Sequence, residues 1–426
     1  MRPFRIMTPF VFAIVLVLLC DVLVSSASGN RQLLSQASAN RSREPGSITL
    51  AQVSGTLHFM EVYTFSMAPY DSDSQATADF DRDGRADIVI AEILRPGLTS
   101  RLVLLRNLGS WQFAPTTLIT YPAAGSYLYE VQAADFNLDQ WPDLALRNHC
   151  EIHVLLNDQQ GGFATSWIKS DGYRYCGTDL ALGDMNGDKA PDIVAGEQSG
   201  RGGILDLFLN AGSGLFFTHT WQSPPLGEVN AGTFHDIVLG DLNQDAIPDI
   251  AASEIYNALL TTFMGDGTGL TFTQVMSEDV GERTFRMVGG NLNGDALSDV
   301  VLNTDGVLHA FVAQGSAVFS ETWTNSEVGV GFAQALADFN QDGYDDLFAS
   351  SFSTGHMVVY LNQPLSSNLQ LAWMGQLSSA PLYDANIADL NGDGQLDLIV
   401  GGESKLSVYR SVFLTQHFYL PILLRN

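Results

Sequence analysis

Cysteine is nearly absent from this chain. Its 426 residues hold only three, Cys20, Cys150 and Cys176. Basic residues are scarce too: 20 Lys and Arg stand against 47 Asp and Glu, a formal net charge of −27. That balance removes the basic footprint nucleic acid requires. Long acidic runs are also missing, so the acids do not form a tail, and their spacing becomes the signal. Helical periodicity is almost nowhere to be found. After the N-terminus, no apolar stretch reaches the roughly 18–20 residues of a membrane span. The chain lacks a Gly-rich phosphate loop, an HExxH pair and a GxSxG elbow, and its eight histidines are scattered. No catalytic constellation is recognised. At 46% hydrophobic residues, the composition also lies far from that of disordered chains.

What is present begins with a leader. Arg2 and Arg5 precede an apolar run from Pro9 to Leu19, continued by Val22 to Val24 and followed by Ser25, Ser26, Ala27 and Ser28. Basic, apolar, small is the order of a secretory signal peptide, with cleavage expected after Ala27. Asp21 interrupts the run and disfavours an anchor. The mature protein is therefore expected to be secreted or at the cell surface, without a stable membrane span. Cys20 leaves with the leader. Cys150 and Cys176 then favour one disulfide over two buried thiols, closing a loop of about 26 residues worth roughly 3 kcal/mol. Residues 28–53 are polar, small and aperiodic, and are expected to be a flexible linker.

From residue 54 the texture is short β-type runs with an internal repeat. Seven aspartate-rich segments start at Asp79, Asp135, Asp184, Asp241, Asn291, Asp338 and Asp389, 47 to 57 residues apart. A period of that size indicates a solenoid, a propeller or an array. Each segment leads into an apolar run such as DIVIA or DLALR, then a turn, then a second run such as LVLLRN or IHVLLN, then in most repeats an aromatic strand. Four strands per repeat, connected as hairpins, predict a seven-bladed all-β propeller of four-stranded antiparallel blades over residues 54–412. The last repeat lacks an outermost strand of its own. The orphan run 57–65 is expected to supply it and to close the ring, hiding sheet edges. The competing candidate is 417–424 in the tail 413–426, weakened by Pro421.

The chemistry sits in the nine-residue loops. Positions 1, 3, 5 and 9 are Asp79, Asp81, Asp83 and Asp87 in the first loop, and Asp135, Asn137, Asp139 and Asp143 in the second. The third has Asp184, Asn186, Asp188 and Asp192; the fourth, Asp241, Asn243, Asp245 and Asp249. The fifth has Asn291, Asn293, Asp295 and Asp299; the sixth, Asp338, Asn340, Asp342 and Asp346; the seventh, Asp389, Asn391, Asp393 and Asp397. Oxygen donors two residues apart in a tight loop can converge on one hard cation, and calcium tolerates such irregular geometry better than magnesium. The position-7 carbonyls of Arg85, Trp141, Ala190, Ile247, Leu297, Tyr344 and Gln395 are the natural backbone ligands. Position 12 is apolar throughout, which excludes an EF-hand. Position 2 is also always apolar and is expected to plug the core.

The pattern DxDxDGxxD before an apolar strand, seven times over, resembles the FG-GAP repeat of integrin α-subunit propellers and their bacterial VCBS-type relatives. The resemblance covers about residues 57–412. It implies a seven-bladed propeller with Ca2+ in hairpin loops on one face and partner binding on the other. Position 6 is glycine only at Gly84, Gly343 and Gly394; Gln140, Lys189, Ala246 and Ala296 replace it elsewhere. Positive φ there costs a non-glycine residue about 1–2 kcal/mol. Loops 1, 6 and 7 therefore rank strongest, 2 and 5 weakest, with about four to seven ions expected in loops of this extracellular kind.

On the face opposite the loops, Tyr127, Tyr129, Tyr173, Tyr175 and Trp221 suggest an aromatic contact surface, with packing as the plainer reading. Glu92, Glu197 and Glu254 each follow a position-9 aspartate by five residues and suggest a partial carboxylate ring, against solvent-exposed strand ends. The expected function is an extracellular binding or adhesion module for protein or glycan, monomeric. A lectin-like sugar binder and a polysaccharide lyase or hydrolase are the alternatives.

Overall fold

The computed structural model describes residues 56–94, 99–121, 127–148, 151–170, 179–199, 202–226, 234–254, 258–281, 283–326, 332–351, 354–363, 368–376 and 381–414. The leader, the linker, the tail candidate 417–424 and the cysteines Cys150 and Cys176 lie outside them. Among the described residues no helix is long and apolar enough to cross a membrane.

The described chain forms seven four-stranded antiparallel sheets. Blade 1 is typical: its strands are Asp71–Ala78, Asp87–Leu94, Thr99–Asn107 and Phe113–Tyr121, from the innermost outwards. Blades 2 to 6 occupy 128–170, 180–222, 234–279, 284–325 and 332–376. Burial explains the apolar runs. The second strand of blade 1, DIVIAEIL, is buried at seven of its eight positions, because both of its faces are covered. The outer strand FAPTTLITY is mostly exposed or half-buried. A continuous apolar run therefore marks a strand sandwiched between neighbouring blades, and mixed polarity marks the rim. The core lies between the blades: Ile88, Ile90, Val103 and Leu105 of blade 1 pack against Leu390, Ile399, Leu406 and Val408 of blade 7.

Blade 7 takes its inner three strands from Leu382–Ala388, Asp397–Gly402 and Lys405–Leu414, and its outer strand from Thr56–Ser66. The register runs from Thr56 opposite Leu414 to Ser66 opposite Lys405. The ring is thus closed by the orphan run. Phe59 is buried there against Phe339 and Trp373.

Candidate metal centres and the axial cavity

Each aspartate loop joins the inner strand of a blade to its second strand, so all seven loops lie on one face. Position 2 is buried in every loop, from Phe80 to Leu390. The position-9 aspartate is fully buried in all seven as well. One oxygen of this aspartate accepts the position-2 N–H, at 2.8–3.1 Å. The other accepts an N–H from the end of the third strand, at 2.7–3.1 Å. Position 9 is therefore first a backbone clamp, a role the spacing did not disclose. Burial, and then neighbouring loop carboxylates, push these groups up: to about 6 for Asp87, Asp143, Asp249, Asp299 and Asp397, about 7 for Asp192 and about 8 for Asp346.

The remaining donors shape the loop. In six loops the position-1 carboxylate accepts the position-6 N–H at 2.7–2.8 Å. In all seven, the position-5 carboxylate accepts the N–H of position 7. Loop 5 differs for a clear reason. Asn291 has an amide where the others have a second acceptor oxygen, and its Nδ2 donates to the Asp295 carbonyl. Ala296, unlike every other position-6 residue, is accordingly not in the left-handed region.

Position 6 is left-handed in six loops, as expected, but it is not the only such position. Position 4 is left-handed in all seven loops, and only Gly187, Gly294 and Gly392 are glycines there. Arg82, Leu138, Gln244 and Gln341 adopt φ of 56° to 71°. Two of these side chains reach the next loop: Arg82 lies over the Trp141 ring, and Gln341 donates to the Gly394 carbonyl. Loops 1 and 7, read as strongest, also carry their own cations, since Arg85 and Arg106 pair with Asp83 and Asp81, and Arg410 with Asp393.

The donor set fits a hard cation. Asp79, Asp81 and Asp87 offer carboxylate oxygens within 4.8 Å of one another. Carboxylates this close repel by roughly 4 kcal/mol per pair at an effective dielectric of 20, and arginines already crowd the loops where they can.

The proposed ligand face is rearranged. Glu92, Glu197 and Glu254 are fully buried, so they form no exposed ring. Glu92 pairs with Arg101, and Glu197 with Arg147 and Lys169. Trp221 packs on Phe263 and Phe272 between blades 3 and 4. Tyr127 and Tyr129 do stack, 5.7 Å apart. Tyr173 and Tyr175 lie outside the described residues.

A cavity of about 420 Å³ opens on the axis instead, lined by Glu130, Asp179, Asp236, Asp384 and Arg286. All five stand five residues before their loops, where irregular pairing marks the start of most inner strands. That fixed offset was a readable signal. Arg286 lies 3.6 Å from Asp384 and 3.9 Å from Asp236. Asp179 and Asp384 also accept N–H groups of the following blades, from Ile237 and Gln75. Burial, and then the charge of Asp384, push Glu130 up to about 8.

Closed ring and repeated loop together define a seven-bladed propeller with one acidic hairpin per blade. A family model described as FG-GAP-like repeat matches residues 79–146, 135–195, 184–252 and 338–400, more than half the chain. The chain belongs to the FG-GAP-like repeat family. It is 24% identical over 251 residues to integrin alpha-8 of Gallus gallus, covering 50% of this chain and 23% of that protein. To integrin alpha-8 of Mus musculus it is 26% identical over 253 residues, covering 56% and 20%. The chain thus spans about a fifth of the length of these relatives. Among solved structures, Saccharomyces cerevisiae Sqt1 superposes with a TM-score of 0.54 at 8% identity, over 82% of this chain and 98% of Sqt1. That likeness is one of fold.

Proposed function

We propose that this propeller is a secreted, calcium-loaded binding module that recognises an extracellular protein or glycan with the face opposite its loops. The placement of the loops carries the reading. Seven acidic hairpins gathered on one face serve as pins for the blades, which leaves the other face and its axial mouth for a partner. Bound calcium would supply charge neutralisation and oxygen coordination. Positions 1, 3, 5 and 9 and the position-7 carbonyl would hold it, while the clamp at position 9 keeps the loop shaped to receive it. The axial mouth, with four carboxylates to one guanidinium, suits a partner that presents a basic group.

The test uses the mature chain in calcium, immobilised and probed with arrays of extracellular matrix proteins and of glycans, beside a polysaccharide degradation assay. Saturable, calcium-dependent binding to a protein or glycan without turnover is expected. Cleavage of any polysaccharide would replace this reading with an enzymatic one.

A further inference from the structure

The third strands of blades 1, 2 and 3 end in asparagine, Asn107, Asn157 and Asn210, and that of blade 6 carries Asn362 one residue before its end. Each donates its Nδ2 across the blade seam to a position-2 carbonyl of the preceding loop, those of Leu390, Phe80, Phe136 and Leu292, at 2.6–2.9 Å. The backbone N–H of the same asparagine is held by the position-9 aspartate of its own loop. The other oxygen of that aspartate holds its own position-2 N–H. These bonds join end to end. From Leu390 they run through Asn107 and Asp87 to Phe80, then through Asn157 and Asp143 to Phe136, then through Asn210 and Asp192 to Met185.

The relay stops at three seams. Blade 4 has Gly265 at the equivalent place, with no side chain to reach Met185. Blade 7 has Ser411, whose buried Oγ finds no partner among the described residues. At the seam between blades 4 and 5, Ala313 takes the place, and the Leu242 carbonyl is met by the Ala317 N–H instead.

We propose that Asn107, Asn157 and Asn210 are positioning residues that couple cation loops 7, 1, 2 and 3 into one cooperative arc, an inference that rests on the calcium reading of the loops. A cation fixing one position-9 carboxylate fixes the asparagine it holds, and with it the carbonyl between the position-1 and position-3 donors of the preceding loop. Such coupling is reciprocal.

Terbium emission sensitised by Trp141, position 7 of loop 2, reads that loop, and the difference from a Trp141→Phe chain isolates it. Asn157→Ala and Asn210→Ala should each raise the terbium midpoint about threefold to tenfold and flatten the titration. Asn362→Ala, on another arc, should leave it unmoved. Melting in chelator confirms that each variant is folded; a purely architectural asparagine would lower that melt without shifting the midpoint. Unshifted midpoints, or an equal shift in Asn362→Ala, would overturn the coupling. If the parent chain gives no Trp141-dependent emission, the calcium reading itself fails. Hydrogen exchange at the Phe136 amide then reads the relay: faster exchange in both variants supports it, and unchanged exchange sinks it. Ser411→Asn covers the case of unfolded alanine variants. It adds the missing reach towards Phe339 and should steepen terbium binding sensitised by Tyr344 of loop 6; an unaltered slope counts against the relay.

Discussion

Among the described residues, Arg286 is the one base set among the four acids that line the axial cavity with it. Replacing it with glutamine would remove the positive charge that both Asp236 and Asp384 approach. Because its side chain keeps about a quarter of its exposure, the cost should fall below that of a fully buried pair, at about 2–3 kcal/mol in denaturant titrations. Glu130 gives a pH test. Its folded value, about 8, lies above the ordinary 4.5, so the folded state binds the proton more tightly than the unfolded one. Its contribution to stability is complete below about pH 4.5 and is lost as pH rises to about 8. Glu130→Gln should flatten the decline in unfolding midpoint between pH 5 and pH 9; an unchanged decline would place its source elsewhere. At position 4, Leu138 is left-handed and 47% exposed. Leu138→Gly should therefore gain about 0.5–1 kcal/mol, read by urea titration.

The aspartate hairpin does two jobs, and they separate by position. Asp192 is buried and clamps two backbone amides, whereas the exposed Asp188 shapes only its own loop. In chelator, Asp192→Asn should cost about 1–3 kcal/mol, since one amide loses its acceptor. Asp188→Asn should change little in chelator and should abolish the stabilisation calcium gives through that loop. At calcium twentyfold over the dissociation constant, each occupied loop contributes about 2 kcal/mol. Chelation should thus lower the melting temperature and calcium should restore it; identical scans would mean that the loops hold no ion. The sequence made the loops, their number and their plug residues legible because each role repeats at one position. The clamp at position 9 was hidden because one residue type serves both metal and backbone. The asparagine relay was visible in LVLLRN, IHVLLN, LDLFLN and MVVYLN, yet Ser411, Ala313 and Gly265 break its period. The burial of Glu92 and Glu197 was not legible because their partners, Arg101, Arg147 and Lys169, lie on other strands at no fixed spacing.

Across the whole molecule, closure depends on one early strand. Leu57 and Phe59 bury their side chains in the last blade. Phe59→Ala should cost about 3–5 kcal/mol, followed by chemical denaturation, and should weaken the seam with blade 6, where Phe339 and Trp373 meet it. The ring itself was readable in advance: seven periods, a last repeat one strand short, and an unassigned strand ahead of the first. What escaped was the axis, whose charged residues share an offset from the loops but not a residue type.

That closing strand reverses the order in which the blade can be finished. The segment 56–66 leaves the ribosome before every other described strand, yet its pairing partner, 405–414, emerges last. Six blades must wait beside an unpaired ribbon until 405–414 has been made, so the ring locks only with that strand. The same geometry brings Thr56 and Leu414 side by side. A circularly permuted chain that carries 56–66 after 414 should therefore assemble the same ring, and should do so without the waiting strand.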